Sequence, residues 1–263
     1  LVQIREAGFS WVRQTFPWAD MEPQPGEFVW DPWDRVVEAA DQRGLPLIAV
    51  LHTSPAWARK GQGSDIHTPP QEVADFGYFA RAFALRYGDR IDYYQVWDEP
   101  NLSYHWGGRE VDAEAYTRLL REAAIQIRDA DPVAWILTAG LAPTVEAGPI
   151  IVDAPGFLDG IYAAGGGPYF DIVGAKCYGF GHDPWDRRLE SGLLNFSRVQ
   201  FLRRAMEQRA DDATPIWAVE FGWNSLPGEW AGKASPWRGV SAEEQITYTL
   251  GALARAEEGW PWM

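Results

Sequence analysis

Tyr93-Tyr94-Gln95-Val96-Trp97-Asp98-Glu99-Pro100-Asn101 decides how this chain is read. An aromatic, apolar run with strand character stops at two adjacent carboxylates, and Pro100, which has no backbone N–H to donate, ends the strand there. Such an ending places ionisable groups at the mouth of a sheet. Much later, Ile216-Trp217-Ala218-Val219-Glu220-Phe221-Gly222-Trp223 repeats the design around Glu220. A pair of strand-end carboxylates is the minimum equipment for breaking a glycosidic bond.

Working outward, residues 9–16 alternate with β-branched and aromatic side chains and read as a strand that carries Arg13. Before it, residues 1–7 read as the last turns of a helix closed by Gly8. Asp31-Pro32 reads as N-cap and first-turn proline of a helix that stops at Gly44. Leu45 to Leu51 is a continuous apolar run, the signature of a parallel strand buried on both faces, and it ends at His52. Thr68-Pro69-Pro70-Gln71 has the spacing of a capping box for a helix through Phe76, Phe79 and Phe83. Beyond Glu99, helices are expected near Asp112, over 155–164, around Val199 to Ala205 and after Ser241-Ala242-Glu243-Glu244. Strands are expected at 135–140 and 170–178. Short apolar strands thus alternate with amphipathic helices, which argues for a parallel α/β architecture of roughly six strands. One more strand at each end makes the eight of a (β/α)8 TIM barrel, so residues 1–263 are expected to be a single catalytic barrel lacking parts of both ends. A doubly wound sheet is the competing architecture, but no glycine-rich dinucleotide loop follows any strand.

Composition narrows the partners. A formal charge of -14 disfavours a nucleic-acid track, which needs clustered Lys and Arg, and suits a neutral or cationic ligand. No apolar run approaches the ~18 residues of a membrane helix. The lone Cys177 excludes an intramolecular disulfide and a multi-cysteine zinc site. Fifteen tryptophans offer flat amphipathic rings for core packing and for stacking on sugars.

Trp97-Asp98-Glu99-Pro100-Asn101 resembles the Trp-Asn-Glu-Pro-Asn acid/base motif of the clan A retaining glycoside hydrolases, particularly family 39, with similarity to family 5 as well. Glu220 in Val-Glu-Phe-Gly-Trp resembles the nucleophile motif at the end of the seventh strand in that clan. The stretch from Trp18 to Asp31 resembles the loop after the second strand. The resemblance implies a (β/α)8 barrel, net retention, Glu99 as acid/base and Glu220 as nucleophile. It implies a carbohydrate substrate, no cofactor, and an extracellular or cell-envelope setting. It also places Arg13 beside Glu220, Tyr178 as a hydrogen-bond donor to Glu220, and His52, Trp57 and Trp223 around the sugar. Two positions depart from the pattern. Asp98 stands where the clan has Asn, and Lys176-Cys177-Tyr178 stands where relatives show His-Pro-Tyr. Lys176 either pairs with Asp98 or recognises an acidic sugar.

Two other readings are open. A barrel that binds carbohydrate without normal catalysis is suggested by Asp98 and Lys176. A Schiff-base lyase is suggested by Lys176 at a strand end, where a desolvated amine is nucleophilic. No metal is expected, because the four histidines are scattered singly along the chain.

Overall fold

The computed structural model describes residues 1–263. Six strands, β1 (Val12–Pro17), β2 (Leu47–His52), β3 (Tyr93–Val96), β4 (Trp135–Leu137), β5 (Val173–Tyr178) and β6 (Ile216–Gly222), alternate with helices. The helices are α1 (Val2–Glu6), α2 (Trp18–Met21), α3 (Asp31–Asp41), α4 (Ala56–Arg59), α5 (Val73–Tyr87), α6 (Ala113–Ala130), α7 (Ala154–Ala163), α8 (Val199–Gln208) and α9 (Ala242–Gly259). Strands β1 to β4 pair in chain order, all parallel, and β5 pairs with β6. Thr138 N–H donates to the Ile172 carbonyl at 3.0 Å and Leu141 N–H to that of Gly174 at 3.1 Å, so the two sheets run on as one arc. This is the (β/α)8 barrel architecture with six of its strands. β1 and β6 are the edges of the arc and are half-exposed along most of their length, whereas β2 is buried throughout.

The inside of the arc is built in layers, as alternating strand residues point inward. At the amino-terminal end Trp11, Tyr93 and Trp217 close the floor, their ring centroids 5.0–5.8 Å apart. Above them lie Ile48, Leu137 and Ile172, with Val219 packed against them. The polar side chains follow at the carboxyl ends. Gly140 leaves the room this top layer needs: a Cβ there would meet Val219 Cγ2 at 2.8 Å and Asp98 Oδ1 at 3.1 Å.

Outside, helix periodicity sets the packing. α5 buries Phe76, Phe79, Ala80, Phe83, Ala84 and Tyr87, an i, i+3, i+4, i+7 stripe, and α6 buries Tyr116, Leu119, Leu120, Ala123 and Ile127. Asp112 caps α6 by accepting from Ala115 N–H, and Ser241 with Glu244 forms the capping box of α9. Two expected caps differ. Thr68 does not open a helix, because the N–H of Gln71 that a capping box requires donates instead to the Ala58 carbonyl at 2.9 Å, and α5 begins at Val73. Asp31 sits inside α3 rather than ahead of it, with Trp30 at the cap, where its charge still complements the helix dipole.

Tyr116 joins α6 to the sheet. Its buried hydroxyl donates to the Val96 carbonyl at 3.0 Å and accepts from Ala139 N–H at 2.7 Å, tying the ends of β3 and β4. Tyr116→Phe leaves both backbone groups unpaired and is expected to destabilise the fold by about 1–3 kcal/mol. Urea unfolding checks this, the expected signature being a lower midpoint with an unchanged slope.

Candidate active site

Arg13, near the start of β1, and the carboxyl ends of β3, β5 and β6 meet in one ion cluster. Arg13 uses its whole guanidinium: Nε donates to Gln95 Oε1 at 2.9 Å, Nη1 to Glu220 Oε1 at 2.6 Å and Nη2 to Asp98 Oδ1 at 2.7 Å. Lys176 Nζ lies 3.0 Å from Asp98 Oδ2, 2.9 Å from Glu99 Oε1 and 3.3 Å from Glu220 Oε1. The Tyr178 hydroxyl donates to Glu220 Oε2, and His105 Nε2 is 3.0 Å from Glu99 Oε2.

Two backbone irregularities make this convergence possible. In a regular strand neighbouring residues face opposite ways. Between β5 and β6 the register slips, so that Ala175 stands opposite Ala218 but Lys176 stands opposite Glu220. Val219 is the extra residue of this bulge. It packs inward, and Glu220 after it also reaches the interior, the re-aiming that bulges produce beside active sites. At the end of β3, Trp97 and Glu99 adopt left-handed backbone conformations, with φ of 68° and 47°. Trp97 N–H donates to Leu51, Glu99 N–H to Gly140 and the Trp97 indole to the His105 carbonyl, so the surroundings hold the strain. Asp98 and Glu99, adjacent in sequence, can then both touch Lys176. Asn101, fully buried, pins the following loop by hydrogen bonds to Ala142 and Val152.

The electrostatics follow from this wiring. Burial raises the proton affinity of Glu99, but the His105 hydrogen bond and the Lys176 ammonium outweigh it and bring the carboxyl down to about 2. Asp98 goes the other way, because its burial exceeds the pull of Arg13 and Lys176. Burial disfavours charge on Lys176, yet Asp98, Glu99 and Glu220 together raise its pKa. That is the opposite of what an amine nucleophile requires. Burial and the Glu220 carboxylate push the Tyr178 hydroxyl up, so it stays a donor. Burial, with the neighbouring His67 and His105, holds His52 down to about 3, leaving a neutral ring.

A cleft of about 990 Å³ opens above the cluster. Glu99, Tyr178 and Trp223 line it, with His105, Trp230 and Trp237 added from loops. Glu220 lies outside this lining, between Tyr178 and Phe221 which are in it, and its side chain is 35% exposed against 13% for Glu99. Arg13, Asp98 and Lys176 stand behind them. Trp223 is fixed by its indole N–H donating to the His182 carbonyl at 2.7 Å. Trp57 lies outside this lining: its N–H donates to the Glu22 carbonyl and its ring packs edge-on against Trp18. His52 also stands outside the lining, edge-on to Trp97.

Sequence reading missed Gln95, His105 and the cleft tryptophans Trp230 and Trp237, while Trp223 lies in the lining as expected. The signal for Gln95 was present, an amide inside an otherwise apolar strand. His105 gave none. Histidines scattered along the sequence meet in the fold: His52, His67 and His105 come together with one ring nitrogen of each within 4.8 Å of the others.

Comparison with known proteins supports the same fold. Residues 1–71 match the sequence profile of glycoside hydrolase family 42, described as beta-galactosidase. No curated protein matches the chain. Among solved structures it is similar to a family 39 glycoside hydrolase from the gut symbiont Bacteroides cellulosilyticus WH2. The identity is 20% and the TM-score 0.73, over 98% of this chain and 50% of that one. It is similar to a glucosidase from Croceicoccus marinus at 14% identity and TM-score 0.67, over 97% of this chain and 52% of that one. A family 1 β-glucosidase from Thermotoga maritima gives 16% and 0.65, over 98% and 73%. The chain spans about half the length of the first two. The architecture is therefore the glycoside hydrolase barrel, and the clan A resemblance of the motifs is matched by the clan A enzymes among these neighbours.

If Lys176 holds Glu99 ionised, removing the ammonium must release that carboxyl. In Lys176→Met the Glu99 titration, followed by carboxyl-carbon NMR, is expected to move up from about 2 toward or past the ordinary glutamate range. An unmoved titration would show that His105 alone sets it.

Proposed function

We propose that the protein is a retaining glycoside hydrolase acting on an oligo- or polysaccharide, with Glu220 as nucleophile and Glu99 as acid/base. The observation that carries this is the shared contact with Lys176. Glu99 Oε1 and Glu220 Oε1 lie 2.9 and 3.3 Å from the same nitrogen, so they are separated by at most about 6 Å. Retaining enzymes place their carboxyl groups ~5–5.5 Å apart, whereas inverting enzymes leave ~6.5–9.5 Å for a water.

The roles divide by environment. Glu220 is more exposed and is held by Arg13 and Tyr178, which favours the carboxylate that attacks an anomeric carbon. Glu99 sits at the cleft lining between His105 and Lys176. It must carry a proton to assist the leaving oxygen, and in the empty site it is ionised. The acid step therefore needs the substrate to weaken the Lys176 contact, after which burial raises its proton affinity. The cleft volume lies at the upper end of the ~300–1,000 Å³ typical of ligand sites, and Trp230 and Trp237 offer exposed ring faces to successive sugars. The ionised Glu99 also motivates the second reading, a barrel that binds carbohydrate without turnover.

A panel of aryl glycosides and oligosaccharides tests the proposal. Turnover is expected, with Glu220→Gln losing it and a 2-fluoro glycoside leaving its sugar on Glu220, located by peptide mass. Glu99→Gln is expected to lose far more rate on poor leaving groups than on activated aryl ones, because only the former need a proton. Sugar binding with no turnover and no label establishes the second reading. Turnover surviving Glu220→Gln removes the first.

The pH dependence has a definite sign. The rate constant kcat/KM requires Glu99 protonated, so activity falls as pH rises through its pKa. With that carboxyl held low, the optimum is acidic, and Lys176→Met is expected to move the high-pH limb upward. A limb that stays in place assigns it to another group.

A further inference from the structure

Beside Glu99, starting from His105 at the edge of the cleft, three imidazoles converge. His52 ends β2, His67 lies in the loop that follows, and His105 lies in the loop after β3. One nitrogen of each ring falls within 4.8 Å of the other two. The ring centroids are 5.2 Å apart for His52 and His67, 5.2 Å for His67 and His105, and 6.3 Å for His52 and His105. Three imidazoles bound to one tetrahedral ion at ~2.0–2.1 Å per nitrogen have centroids roughly 5 Å apart, so two of the pairs already stand at that spacing.

Hydrogen bonding occupies one nitrogen on each of two rings. His67 Nδ1 is 2.9 Å from Asp65 Oδ1, and His105 Nε2 is 3.0 Å from Glu99 Oε2. His67 and His105 are thus each backed by a carboxylate on one nitrogen, the arrangement that fixes the tautomer and orientation of a metal-bound histidine. The other nitrogens lack partners. His105 Nδ1 and His52 Nε2 are buried with no hydrogen bond, and His52 as a whole is only 6% exposed. All six unpartnered buried side-chain atoms of the molecule belong to residues 52–68 or to His105. A buried polar atom without a partner costs about 1–3 kcal/mol, so the two unpartnered histidine nitrogens within one three-imidazole cluster point to an occupant.

We propose that His52, His67 and His105 form a binding site for a divalent transition metal of the zinc class, built against the acid/base carboxylate. Imidazole nitrogens suit zinc, copper and nickel and do not suit calcium or magnesium, which take oxygen. Lys176 and Arg13 are engaged by carboxylates on the far side of Glu99, so no ammonium or guanidinium contacts these three rings. His67 and His105 are part-exposed, with side chains 31% and 25% accessible, which provides the entry path. Because His105 touches Glu99 through its other nitrogen, an ion on this site fixes the proton that His105 presents to Glu99. The inference does not depend on the glycosidase reading, since it concerns binding alone.

Chelator-treated protein is titrated with Zn2+ by calorimetry, and separately with Co2+ by visible absorption. One equivalent per chain is expected, with the strong d–d absorption of low-coordinate Co2+. His67→Ala, altering the most accessible ring, should abolish stoichiometric uptake and that absorption. Asp65→Asn, which keeps all three rings, should weaken Zn2+ binding about 10- to 100-fold. Uptake well below one equivalent in the unaltered protein overturns the proposal and leaves the cavity to water. Uptake unaffected by both variants overturns it equally, by placing the metal elsewhere.

Discussion

One ammonium group governs the carboxyl end of this barrel. Lys176 Nζ is within 3.3 Å of Asp98, Glu99 and Glu220, and its side chain is only 5% exposed. Ions taken out of water are tolerated only when paired with good geometry, and removing one partner of a buried pair typically costs about 3–5 kcal/mol. The ends of β3, β5 and β6 are therefore bound to each other through a single charge, and Arg13 adds β1 through Asp98 and Glu220. At the opposite end of the same strands the contact is apolar, between Trp11, Tyr93 and Trp217. An aromatic floor and an ionic rim define an interior in which every polar layer residue has an assigned partner.

The charge balance of that rim has a chemical consequence. Three carboxylates face one lysine and one arginine, which leaves one negative charge in excess. Taking up one proton makes the cluster neutral, and proton uptake at this place is what a general acid needs. Titrations of groups this close belong to the cluster as a whole. Lys176 and His105 draw the proton away from Glu99, while burial draws it toward Asp98. The proton affinity of Glu99 thus depends on how the contacts of Lys176 are arranged.

Much of the architecture was legible because it is local. The apolar run at β2, the stripes of α5 and α6, and the caps at Asp112 and Ser241 are patterns within a few residues, and each forms as its pattern dictates. The strand-end acids were legible for the same reason, as charges terminating apolar runs. What was hidden depends on pairing between distant segments. The register slip at Val219 exists only relative to β5, and the left-handed conformations of Trp97 and Glu99 exist only because Leu51 and Gly140 hold them. The Thr68 cap failed through such a distant competitor, the Ala58 carbonyl. The three histidines, far apart in sequence, are neighbours only because successive strand-end loops are neighbours in a parallel sheet.

The two departures from the clan pattern now explain each other. An asparagine at position 98 would offer an amide donor, and Asp98, acceptor-only when ionised, cannot. Its two oxygens are instead taken by Arg13 and Gln95 on one side and by Lys176 on the other. The donor lost at position 98 is therefore supplied from position 176, two strands further along the chain but 3.0 Å away in space. Either change alone would remove one ion pair from the cluster, leaving Asp98 with Arg13 only or Lys176 with Glu99 and Glu220 only. Together they keep the cluster satisfied, and they replace a neutral donor by one that also binds Glu99 and Glu220. The same pair of residues thereby holds the site together and changes how tightly Glu99 holds a proton.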